Sequence, residues 1–461
     1  TNIEGATVIS EDGSLASSFF APGDSSFIRA DFVAEHELLL LRTNETRTGY
    51  VLSRAGDDGS LRWSNPLENV RFDQNVTVRG LNDGRALVII SGASKLQMRF
   101  YAAAGGLTET REIAMPEALQ AGFGDWSADA QGNLALTLRF EVAFSSESYG
   151  AILFSANATV LKQIRYAPAD QCTRRCPLLG LAQGFANILA TQTGGKLVLI
   201  SLLPNVANTE VILHASFGLR IANSNNATIL LTGDSDFRAF NASGAEIPTP
   251  STLGKSTTAP DVLAAAIAED GKSFVLQQAY DGAYVNLLQA FAANGAKLWQ
   301  KSISDSRNVQ LVANSARICF KGEDFRIATV TSLTCLNSDT GVELVRTVLS
   351  NQEVPRLRMR FLADGRLRAA HPMPIGGLKI VDISNDNQVS QLSAVTNKVQ
   401  AIVDIGASGG IVLKVEVPTS SNTIEWLALL PNGQLAFRYA ITARGFSEEF
   451  SGRMLDNDDV L

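Results

Sequence analysis

Charge is scarce in this 461-residue chain, and positive charge scarcer still. Only 18% of the residues are charged, 39 basic against 46 acidic, for a formal net charge of −7. A nucleic-acid binder carries a basic footprint, so that class is excluded. No apolar run approaches the roughly 18 residues of a membrane helix, and no transmembrane segment is expected. The three histidines, His36, His214 and His371, stand apart from one another, and no second ligand pair lies near the Cys172/Cys176 spacing, which leaves no zinc pattern. Helical periodicity is nearly missing. Residues 257–268 alone pass as a helix, and Pro260 weakens even that reading. The 45% hydrophobic content excludes a disordered chain.

What is present is a repeat. A turn followed by a short strand recurs as Asp58-Gly59-Ser60-Leu61-Arg62-Trp63, as Asn294-Gly295-Ala296-Lys297-Leu298-Trp299 and as Asn432-Gly433-Gln434-Leu435-Ala436-Phe437, each with an aromatic four places after the glycine. Weaker copies begin at Gly13, Gly106, Ala158, Asn208, Gly244, Gly341 and Asn387, and the steps from 295 to 341, 387 and 433 are each 46 residues. Residues 216–248 form a shortened unit. Ahead of each such turn, paired apolar runs flank a tighter one: 76–80 and 86–90 around Asn82-Asp83-Gly84, 263–268 and 273–277 around Asp270-Gly271, 357–362 and 366–370 around Asp364-Gly365. Asx-Gly between such runs signals a β-hairpin in which both turn residues accept positive φ. Four antiparallel strands per 40–50 residues is the plan of a propeller blade. The expectation is an all-β chain, a single large propeller of about eight to ten four-stranded blades. Residues 1–22 would be closing or donated strands, 23–442 about nine blade repeats, and 443–461 a tail. Trp63, Trp299 and Phe437 are expected to wedge each blade against the next.

Residues 291–299 resemble the repeat of pyrroloquinoline-quinone-type propellers, a small residue, Asx and Gly followed by Leu-Trp, and 59–63 are similar. The resemblance implies quinoprotein-type blades. Catalytic members use adjacent cysteines, calcium-binding acidic residues and an Asp. Here three residues separate Cys172 from Cys176, so the likeness points to the non-catalytic branch, a protein-docking scaffold without cofactor.

No nucleophile elbow, phosphate loop or zinc helix stands in the right context. Gly406-Ala407-Ser408-Gly409-Gly410 is read as a turn, because no helix follows it to hold a phosphate. Residues 382–387 (DISNDN) alternate oxygen side chains as calcium loops do, but lack the central Gly and distal Glu, and read as an Asx-rich turn. Five Asn-x-Ser/Thr sequons, at Asn44, Asn75, Asn157, Asn226 and Asn241, would carry glycans only in a eukaryotic secretory host.

Four cysteines permit two disulfides and three connectivities. Cys319 and Cys335 fall on neighbouring predicted strands, 316–320 and 330–336, and are expected to bridge; Cys172 and Cys176 bracket a loop and are expected to close it. The chain begins Thr1-Asn2-Ile3 without Met and is rich in Asn, Ser and Thr, as a processed extracellular, cell-surface or periplasmic protein would be. The expected function is an interaction scaffold that binds protein partners or copies of itself. A quinone-dependent oxidoreductase and a carbohydrate-binding propeller are the alternatives.

Overall fold

In the computed structural model, the described residues form nine four-stranded antiparallel sheets that follow one another along the chain, within 27–66, 76–114, 121–165, 178–211, 220–247, 261–303, 310–350, 358–394 and 399–442. The structure describes residues 5–9, 15–20, 27–34, 37–56, 60–71, 74–81, 83–91, 95–114, 121–128, 134–142, 146–155, 159–165, 178–179, 187–192, 196–201, 209–211, 220–223, 229–232, 237–241, 245–248, 261–280, 284–303, 309–324, 330–351, 354, 356–373, 376–394, 398–416 and 423–442. Among them there is no helix. In every four-stranded sheet the strands lie side by side in chain order, each hydrogen-bonded to the one before it. These are propeller blades.

The chain divides into two compact units. One comprises Thr1–Val8, Ala16–Ile212 and Ala242–Ala245, and the other Ile9–Leu15, Leu213–Asn241 and Glu246–Leu461. The strands Gly5–Ile9 and Leu15–Phe20 pair with each other as a separate two-stranded sheet. The tail at 443–461 lies outside the described residues.

Within a blade, the second and third strands are the buried ones. Ala86–Ser91 (ALVIIS) and Leu367–Pro372 (LRAAHP) are buried along nearly their whole length, so they read as continuous runs rather than as alternation. Both of their faces are covered, because the apolar clusters form between consecutive sheets. Leu39, Leu41 and Leu52 of the first sheet pack with Val78, Val88 and Ile90 of the second. Leu333 and Leu349 of the seventh sheet pack with Leu367, Val381 and Ile383 of the eighth. Each fully buried Leu or Phe contributes about 1.5–3 kcal/mol of transfer free energy, so stacking is the main stabilisation.

In the hairpin turns, one of the two residues that accept positive φ adopts it. The glycine of each Asx-Gly turn is left-handed, at Gly84 (φ 80°), Gly271 (84°) and Gly365 (83°), while the preceding Asp is not. The loop is therefore the three-residue kind ending in a left-handed residue, and Asp serves through its side chain. Asp83 Oδ1 accepts from the Arg85 amide at 3.1 Å, Asp270 Oδ1 from Lys272 at 3.2 Å, and Asp364 Oδ1 from Arg366 at 3.0 Å. The same chemistry recurs between third and fourth strands, where Asn294 and Asn432 accept from Ala296 and Gln434. Gly295, Gly341, Asn387 and Gly433, spaced 46 residues apart, all have positive φ. In the second sheet that slot belongs to Gly105, one residue before the expected Gly106.

The candidate helix is a correction. Of its described part, 261–268, Asp261–Ile267 is the first strand of the sixth sheet, pairing antiparallel with Ser273–Tyr280 as the hairpin reading of 263–268 and 273–277 expects. Alanine favours a helix by a few tenths of a kcal/mol per residue, and packing against the neighbouring strands overrides so small a bias.

Candidate interaction surface

Three arginines tie one sheet to the next, and each does so at the same place. Arg54 Nη1 donates to the carbonyl of Gly84 at 2.6 Å, Arg317 Nη2 to that of Gly365 at 2.6 Å, and Arg368 Nη1 to that of Gly409. Every acceptor is the left-handed glycine of the following sheet's first hairpin. Arg368 is 1% exposed, and its charge is matched by Asp382, with Nε–Oδ1 at 2.7 Å and Nη2–Oδ2 at 2.5 Å. Residues 382–387 thus form a turn whose leading carboxylate is committed to an arginine. Its Ser384 and Asn387 close the turn backbone, with the Asn387 amide donating to the Ser384 carbonyl at 3.0 Å. The Gly406–Gly410 segment is likewise the turn of the ninth sheet's first hairpin.

The tryptophans join successive sheets further along the strands. Trp63 Nε1 donates to the Ala103 carbonyl and Trp299 Nε1 to that of Ser338, each at 2.8 Å. Both acceptors lie in the next sheet's turn between third and fourth strands. Asn65 and Lys301 repeat the pattern by donating to Gly105 and Gly341. The side chain of Phe437 lies outside the described residues.

Cys319 and Cys335 are register partners on the second and third strands of the seventh sheet, and a disulfide joins them with Cα atoms 4.1 Å apart. Both are fully buried. Cys172 and Cys176, with His36 and His214, lie outside the described residues. His371 is 3% exposed, in the eighth sheet opposite Lys379. Its Nδ1 lies 3.0 Å from the Pro372 carbonyl, which can only accept a hydrogen bond. Burial holds the imidazole below the ordinary histidine range; the Pro372 and Leu349 carbonyls oppose this, and the Lys379 and Lys321 ammonium groups add to it. Lys379 Nζ donates to the Leu349 carbonyl at 2.8 Å and Lys321 Nζ to that of Val354 at 2.6 Å. No motif announced this group.

Lys272 forms a second polar junction, between the sixth and seventh sheets. It donates to the Ser315 carbonyl at 2.9 Å and pairs with Asp270 and Asp339 at 2.8 and 2.7 Å. Burial alone would lower this ammonium, but the two carboxylates outweigh it and raise it above its usual value. Of the sequons, Asn44 spends its side chain inside its own turn, accepting from the Thr48 amide at 2.8 Å.

The outer strands are different in kind. The large apolar side chains that are exposed among the described residues are Leu61, Leu107, Leu161, Leu298, Val342, Val348, Val389, Leu392 and Leu435. All stand on a fourth strand or on the residue that leads into one. A fourth strand has a neighbour on one side only, so it also presents backbone N–H and C=O groups outward. Apolar side chains beside open hydrogen-bonding positions suit the addition of a protein strand.

No family model matches the chain, and no curated protein matches it. Among solved structures, it is similar to a eukaryotic initiation factor over 86% of its own length and 97% of that chain, at 8% identity and a TM-score of 0.44. It is similar to Sqt1 of Saccharomyces cerevisiae over 82% of its length and 97% of that chain, at 9% identity and a TM-score of 0.32. An ancestral GH74 enzyme is matched over 94% of this chain and 64% of its own, at 10% identity and a TM-score of 0.33. All three scores are below 0.5, and the propeller assignment rests on strand order, register and the turn repeat. No helix among the described residues is long and apolar enough to cross a membrane.

Proposed function

We propose that this protein is a non-catalytic propeller scaffold, secreted, periplasmic or displayed at a cell surface, that binds protein partners or copies of itself. The observation that carries this reading is that, among the described residues, the exposed large apolar side chains all stand on the outer strands or lead into them. Water penalises such side chains, and a row of them along open sheet edges is a surface suited to being covered. The buried disulfide fits an oxidising compartment, and a second bridge between Cys172 and Cys176 belongs to the same reading. Residues 1–22 serve in it as closing or donated strands.

The likeness of 291–299 to quinoprotein-type repeats makes a quinone-dependent oxidoreductase the rival. The test is an assay of purified protein with quinone, calcium and an electron-accepting dye, using sugars and alcohols as donors. The scaffold reading predicts no quinone-dependent dye reduction. Sustained reduction that needs both quinone and donor overturns it.

A further inference from the structure

The nine outer strands among the described residues are not equally guarded. Open edges are normally protected by charge, proline or extreme shortness, since an unprotected edge recruits other strands. Leu61–Pro66 carries Arg62 and a proline, Leu107–Ala114 carries Glu109, Arg111 and Glu112, and Val160–Arg165 carries Lys162 and Arg165. Thr209–Val211 and Glu246–Ile247 are short and contain a glutamate each. Lys297–Ile303 has two lysines, Glu343–Ser350 a Glu and an Arg, and Leu435–Thr442 an Arg. Val389–Ala394, with the sequence VSQLSA, has no charge and no proline over six residues. Its first five residues are exposed, with Val389 and Leu392 each at 38%.

Resting on the scaffold reading, we propose that Val389–Ala394 pairs antiparallel with the same strand of a second copy of this chain, about a two-fold axis. The choice of occupant follows from charge. A two-fold sets every side chain against or beside its own copy, so a net charge on the strand repels itself. Seven of the other outer strands carry net charge and the eighth a balanced pair; only this one brings no charge to such a contact. In an antiparallel pair, directly opposed residues share a face of the sheet, so a residue near the middle faces its own copy. Centring the pair on Leu392 places the two exposed leucines against each other, with Gln391 facing Ser393 and Ser390 facing Ala394. The third strand, Leu378–Ile383, already pairs the inner side from Leu378↔Ala394 to Ile383↔Val389, so a new strand extends the eighth sheet across the axis. Two strands of about 20 Å bury less than the roughly 1,200 Å² of a standard interface, so the association is weak and concentration-dependent.

Sedimentation velocity of the full chain over a wide concentration range tests this, with hydrogen exchange measured at both ends of the range. The expected result is a reversible dimer that salt strengthens, because each copy carries −7. Alternate amides of 389–394 gain protection only at high concentration. Leu392→Lys, an exposed change, lowers the association constant by about tenfold or more, whereas Leu61→Lys on the first sheet leaves it unchanged. A chain that stays monomeric throughout, or a dimer indifferent to Leu392→Lys, overturns the proposal. If Leu61→Lys dissolves the dimer instead, outer-edge association survives and this strand's part in it does not. Quinone-dependent turnover removes the scaffold reading whatever the mass.

Discussion

A Cβ built on Gly341 would stand 2.8 Å from the indole of Trp299, and one on Gly105 would stand 2.7 Å from that of Trp63. Each glycine is also left-handed, at φ 68° and 92°. Gly341→Ala therefore meets two obstacles at once, a disfavoured backbone and a ring fixed by its bond to Ser338. The expected loss is about 2–4 kcal/mol, from strain and overpacking together, read as a lower urea midpoint. Combining it with Trp299→Ala should cost less than the sum of the two single changes, because the clash goes with the ring. Full additivity would show that glycine and indole act independently.

Arg368 and Asp382 are a buried ion pair, and the arginine also holds the Gly409 turn of the next sheet. Removing one partner strands the other charge without water. Asp382→Ala should destabilise by about 3–5 kcal/mol, while replacing both residues with apolar side chains of similar volume should recover part of that loss. Thermal unfolding of the three variants checks the order, and a double variant worse than Asp382→Ala would refute it.

His371 makes stability depend on pH. Its folded value is held below the ordinary 6.5, so the unfolded chain takes up a proton first as the solution acidifies. Stability should be full above about pH 6.5 and fall as pH drops below that, toward the folded value. His371→Gln should make the acid-side decline shallower. Melting temperatures from pH 7.5 to 5 decide the matter, and parallel curves would show that His371 does not contribute.

The Cys319–Cys335 bridge closes a 16-residue separation between two directly opposed strand positions, both buried. Replacing both cysteines with alanine should cost about 2–4 kcal/mol. In the native protein a thiol reagent should not label either residue until denaturant is added. Non-reducing peptide mapping that finds Cys319 or Cys335 paired elsewhere, or alkylated, would contradict the register.

The features legible in sequence were those carried by neighbouring residues. Asn82-Asp83-Gly84 and its relatives announce their turns because the Asp side chain and the left-handed glycine act within three residues. The strand expected at 76–80 is the strand Val76–Gly80, and that expected at 330–336 is Val330–Asn337. Register between such strands set Cys319 opposite Cys335. The arginine ties were not legible, since Arg54, Arg317 and Arg368 reach carbonyls 30, 48 and 41 residues away. A charged residue in an otherwise apolar second or third strand, as in YVLSRAG, RICF and LRAAH, was the signal available. Asp-Gly accepts two left-handed residues and here uses one; the pair alone does not reveal loop length. Exposure was hidden too: Leu392 and Leu378 are the same residue in sequence, and only packing leaves the first on an open edge.

The most direct test of the scaffold reading is the native mass of the protein isolated from its own host, beside a variant with Leu61, Leu107, Leu392 and Leu435 changed to lysine. The prediction is an assembly heavier than the 49.2 kDa chain by a definite mass of protein, with no quinone absorbance, and a variant that folds but runs as a single chain. A wild-type protein that isolates as one chain bearing quinone, and reduces dye with a donor, would contradict it.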